Sequence, residues 1–83
     1  MKGKKMKIYS VKDNKIGFNN TFLAANNAAA MRMFADTCRQ KETLFANHPE
    51  DFDLYAVGEL NENTGEITSE IKFLEHASSF VSE

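Results

Sequence analysis

The chain is sparing with several residue types: one cysteine, one proline, two histidines and four glycines among 83 residues. A lone Cys38 excludes an intrachain disulfide, the staple of small secreted domains, and fits a reducing cytoplasm. The glycines lie too far apart to form a phosphate-cradling loop or a dinucleotide fingerprint. His48 and His76 have no second histidine, cysteine or carboxylate at a recognised ligand spacing, so neither a metal nor any other cofactor is expected. The loop Asn61 to Gly65 begins like a calcium loop, but its glycine comes one place early. Lys72 also stands where such a loop requires a glutamate. No long apolar run follows the basic start, so neither a signal-peptide core nor a membrane span is expected. The sequence reads as a soluble, unprocessed protein of a cytoplasm.

Basic residues are also missing from one half. Residues 42 to 83 contain a single cation, Lys72, against ten acids, whereas residues 1 to 41 contain nine cations against Asp13 and Asp36. The overall charge of −2 conceals this division. Such asymmetry suits contact with a polyanion or self-association through opposite patches, and equally suits neutralisation within one fold.

What is present is enough apolar material for one domain over residues 1 to 83, with 42% hydrophobic residues including seven Phe. A core of this size supplies only a few kcal/mol of net stability, so a partner subunit would help and a dimer is the favoured homo-oligomer. Residues 1 to 5 read as a basic arm. Met6 to Lys12 and Gly17 to Ala24 alternate as strands joined by Asp13-Asn14-Lys15, with Phe18 and Phe22 on one face if the period holds. Asn26 and Asn27 precede an alanine run and can cap a helix. Its apolar stripe is predicted as Ala28, Met31, Phe34, Ala35 and Cys38. Pro49 makes a rigid turn. Phe52, Leu54, Ala56, Gly58 and Leu60 then form the apolar face of a third strand. The string NENTG turns the chain into a fourth strand, from Glu66 to about Lys72. A short helix or docked tail is expected from Leu74 to Val81. The fold class is therefore α+β, in the order β-β-α-β-β, one antiparallel sheet packed against a single main helix.

Enzymatic readings fare poorly, and no catalytic activity is expected. Glu50, Asp51 and Asp53 form the densest carboxylate group, but they flank a proline turn and alternate with Phe52 and Leu54. They read as the wet edge of a strand. Their alternative role is a protein-interaction surface. Cys38 sits on the helix stripe without an activating partner and reads as a buried structural thiol. A basic helix for the major groove is missing, which disfavours duplex readout. Lys4, Lys5, Lys7, Lys12 and Lys15 surround Tyr9 near the start of the chain. This pairs cations for phosphates with an aromatic ring for unpaired bases, so single-stranded nucleic acid is the natural ligand of that end.

Three segments, in order, carry a family resemblance: KIYSVKD at Lys7 to Asp13, A-x-R-x-F at Ala30 to Phe34, and HPEDFDLYAVGE at His48 to Glu59 followed by Thr64-Gly65. Over about Met6 to Phe80 the chain resembles the small nonstructural, DNA-binding protein of gokushovirus-type Microviridae phages. The resemblance implies a non-capsid accessory of phage DNA replication or packaging in the host bacterial cytoplasm, associated with single-stranded DNA. It supplies no catalytic motif and no mapped DNA contacts, so the contact residues rest on charge and aromaticity. The alternative is a module that binds a phage or host replication protein through Glu50, Asp51 and Asp53 without touching DNA.

Overall fold

The first two extended runs fold back on each other because the turn between them satisfies its own backbone. The Asp13 carboxylate accepts from the Lys15 amide, the Ile16 amide donates to the Asp13 carbonyl, and Gly17 takes a φ of 132°. In the computed structural model, which describes residues 5–40 and 42–80, β1 is Lys5–Asp13 and β2 is Gly17–Ala24. Helix α1, Asn27–Cys38, follows. Asn26 caps it, its side chain accepting from the Ala29 amide at 2.8 Å. Thr43 then bridges out of α1, donating to the Gln40 and Thr37 carbonyls, and its hydroxyl accepts from the Ala46 amide to start the single turn α2, Leu44–Asn47. Pro49 opens a 3-10 turn ending at Asp51, with φ preset and no amide to leave unpaired. Strands β3, Phe52–Asn61, and β4, Ile67–His76, complete a sheet ordered β2-β1-β3-β4, antiparallel throughout.

The class is α+β, but the element order is richer than β-β-α-β-β. Between β2 and β3 lie α1, α2 and a 3-10 turn, and a second 3-10 turn, Ala77–Ser79, follows β4. The tail differs from the expected helix over Leu74 to Val81. β4 continues to His76, and the register passes from Tyr55 opposite Phe73 to Leu54 opposite Glu75. Leu74 is therefore an extra residue, and it packs half-buried against the core. Val81 lies outside the described residues.

The core lies between α1 and one face of the sheet: Tyr9, Val11 and Ala24 from β1 and β2, Phe52 and Leu54 from β3, Ala30, Phe34 and Cys38 from α1, and Ala77. Phe34 is its hub, meeting Phe45 and Phe80 edge-on at 5.7 and 5.8 Å. The buried stripe of α1 is Ala30, Phe34, Ala35 and Cys38, whereas Ala28 is exposed and Met31 only half-buried. Three consecutive alanines at 28–30 carry no polar marker, so their pattern could not choose which one faces inward.

Two bulges govern the face that α1 leaves uncovered. Ser10 pairs with Thr21 but Val11 with Asn19, which leaves Asn20 extra on β2 at a φ of 50°. Left-handed backbone is affordable for asparagine. The insertion sends Phe22 to the helix side, stacked on Tyr9 at 5.6 Å, and Phe18 to the other, so the two do not share a face. On β3, Tyr9 pairs with Ala56 and Ile8 with Gly58, which leaves Val57 extra. Gly58 and Leu60 then lie opposite Ile8 and Met6, on the uncovered side, rather than continuing the row of Phe52, Leu54 and Ala56.

Candidate nucleic-acid interface

On the uncovered face, each strand contributes one residue to a transverse row. Phe18 comes from β2, Lys12 from β1, Tyr55 from β3 and Phe73 from β4. The Phe18 and Tyr55 rings meet edge to face at 5.2 Å, and Tyr55 and Phe73 do so at 5.6 Å. The Lys12 ammonium lies 5.8 Å from the Phe18 centroid and 6.0 Å from that of Tyr55. At these distances the negative ring faces attract the cation, and no carboxylate pairs with it among the described residues. Phe18 keeps half its surface exposed and Phe73 42%. Beyond Phe73 the row ends at His76, whose ring centroid is 4.8 Å away and whose Nδ1 lies 2.7 Å from the Asp53 carboxylate. Leu23, at 41% exposure, lies opposite Ile8 on the same face.

This arrangement relocates the aromatic part of the expected site. Tyr9 has no exposed surface, and its hydroxyl donates to Asn27 Oδ1 at 2.7 Å. Burial raises its phenol pKa. No base can stack on a ring packed between Phe22 and the core, so Tyr9 is a core residue and Phe18, Tyr55 and Phe73 are the rings within reach of a ligand. Sequence reading missed the last two because they come from strands distant in the chain, and no local pattern shows that β3 pairs with β1 and β4 with β3. The available signal was the alternation of Asp53, Tyr55 and Val57 on the mixed face of β3.

The expected lysines are dispersed. Lys4 lies outside the described residues. Lys5 is exposed at the end of β1, opposite Asn61. Lys7 lies opposite Glu59 and lines a shallow recess with Glu59, Glu70 and Lys72. Lys12 belongs to the aromatic row, and Lys15 pairs with Asp51 at 3.5 Å. Of the described lysines, Lys12 alone joins the rings directly.

The acidic alternative is reorganised too. Asp51 is engaged by Lys15, and Asp53 accepts from Asn14 Nδ2 at 3.1 Å as well as contacting His76. Both carboxylates brace the β1–β2 turn against the rest of the fold, and Glu50 alone of the three is exposed. His48, Glu50 and Asp51 bring donor atoms within 4.8 Å of one another, a juxtaposition created by the 3-10 turn. They could hold a divalent cation only in competition with the Lys15 ammonium.

A groove of about 410 Å³ between α1 and β2 is lined by Phe22, Met33, Phe34 and Phe45, among others, none of them ionisable. Among the described residues it offers no acid or base. Cys38 is fully buried, and desolvation pushes its thiol up to about 11 against a smaller opposing effect of Arg39, which leaves it protonated and unreactive at neutral pH. Among the described residues no helix is long and apolar enough to cross a membrane.

A family model described as phage ORF5 protein matches residues 6–80. Neither the curated proteins nor the solved structures contain a match to the chain.

Proposed function

The chain belongs to the phage ORF5 protein family, and from that premise we propose that it is a nonstructural accessory of a gokushovirus-type Microviridae phage that associates with single-stranded DNA in the host cytoplasm, during replication or packaging. One observation carries the reading. Phe18, Tyr55 and Phe73 form a row across an open sheet face, with Lys12 seated among them. Unpaired bases stack on such rings regardless of sequence, while cations along the strand ends meet the phosphates. The face suits a single strand better than a duplex, whose stacked bases offer only their edges and not their ring faces.

The test is a binding titration of a labelled oligonucleotide followed by anisotropy over a salt series. Stacking contributes about 1–3 kcal/mol per base. Phe18→Ala and Phe73→Ala should therefore each weaken binding by roughly 5- to 150-fold. Replacing Lys5 and Lys12 by Ala should flatten the salt dependence, each phosphate contact contributing about 0.7 to the logarithmic slope. No anisotropy change at low salt would remove the proposal.

A further inference from the structure

β4 is a sheet edge. Among the described residues it pairs with β3 on one side only, so one side of a ten-residue strand presents unpaired backbone donors and acceptors. The strand is also apolar for an edge, with Ile67 64% and Ile71 59% exposed beside Phe73. Two opposite charges flank Ile71, Glu70 before it and Lys72 after it. Both are exposed, and neither takes part in an ion pair among the described residues.

These features are self-complementary. When a second copy of β4 lies antiparallel about a two-fold axis normal to the sheet at Ile71, Ile71 meets its own counterpart. Glu70 then faces Lys72 of the other copy, and Lys72 faces the other copy's Glu70. Ser69 lies opposite Phe73, and Thr68 opposite Leu74. A slip of two residues either way sets Glu70 against Glu70 or Lys72 against Lys72. Opposite charges placed directly across a strand pair stabilise it and like charges oppose it, so the sequence selects one register.

We infer that β4 is the contact strand of a symmetric dimer, in which two copies of this chain pair Glu70 with Lys72 across a continuous eight-stranded sheet. The two-fold axis keeps each sheet face with its equivalent. Both α1 helices lie on one side, and both aromatic rows lie on the other. The pairing does not depend on DNA binding.

The experiment is sedimentation equilibrium of the nuclease-treated full chain over a wide concentration range. The wild type should behave as a dimer. Lys72→Glu and, separately, Glu70→Lys should each weaken association roughly tenfold or more, since two symmetric pairs change from attraction to repulsion. The exchange of both, Glu70→Lys with Lys72→Glu, should restore the dimer. Circular dichroism checks that each variant stays folded, as expected for exposed positions. A wild-type monomer at every concentration overturns the inference. Single variants that dimerise like the wild type, or a double exchange that fails to restore association, overturn the strand and register assigned to it.

Discussion

Gly58 provides the sharpest test of the sheet, because two effects of opposite sign compete there. In an ordinary strand position, Gly→Ala stabilises by about 0.4–1 kcal/mol by narrowing the unfolded ensemble. At Gly58 the β-carbon of an alanine would lie 2.5 Å from the Thr68 carbonyl oxygen on β4, where such contacts essentially never fall below 3.0 Å. The neighbour is backbone held in the β3–β4 ladder, so it cannot rotate aside as a side chain would. Strand β4 must retreat by about half an ångström, at the register shift that follows the Ala56–Lys72 pair. Overpacking of this kind costs about 1–3 kcal/mol. Net destabilisation of about 1–2 kcal/mol is expected, a large share of the roughly 4–12 kcal/mol available to a chain of this length. The melting temperature of Gly58→Ala should fall by about 5–15 °C, followed by far-ultraviolet circular dichroism and checked by urea denaturation. An unchanged or raised melting temperature would show that β4 does not approach Gly58 as described, and the register beyond Val57 would be wrong.

Two further outcomes follow from the helix. Asn26→Ala removes the cap on α1 and should cost about 1 kcal/mol in urea denaturation, whereas Asn26→Ser should retain most of it. The Cys38 thiol, raised to about 11 by burial, makes stability fall at alkaline pH. Above its ordinary value near 9 the unfolded state gives up the thiol proton while the native state keeps it, so the unfolded state binds fewer protons. Stability is thus fully present below pH 9 and is lost as pH rises from there toward 11. Tyr9, also raised by burial, acts in the same direction. Melting curves from pH 8 to 11 should show the decline, and Cys38→Ala should make it shallower.

How much of this was legible in the sequence differs from element to element. Strand β2 was legible because Gly17 marks its start and the asparagine cap of α1 marks its end. The helix existed in the pattern, but its rotation did not, since Ala28, Ala29 and Ala30 are chemically equivalent. The candidate site was legible only in part. Charge and aromatic content pointed to the first hairpin, and Lys12 and Phe18 do lie there. Tyr9 was indistinguishable from a surface aromatic until Asn27 and Phe22 were found packed against it. Tyr55 and Phe73 were out of reach because the β1–β3 and β3–β4 pairing that brings them beside Lys12 joins strands far apart in the chain, while the bulges hid other placements, such as Phe18 and Phe22 on opposite faces. Neither Asn20 in a polar run nor Val57 in an apolar one announces itself as an insertion.

The central claim is that bases stack on the uncovered aromatic row, and Tyr55 can report it directly. The chain contains no tryptophan and only two tyrosines. Tyr9→Phe retains the core ring, loses one hydrogen bond worth about 1 kcal/mol, and leaves Tyr55 as the sole tyrosine, excited apart from the phenylalanines. Titrating that variant with oligothymidylate at low salt should quench Tyr55 emission to a saturating level, and added salt should restore it, with free tyrosine as the absorbance control. Emission that stays unchanged up to high oligonucleotide concentration would contradict the account.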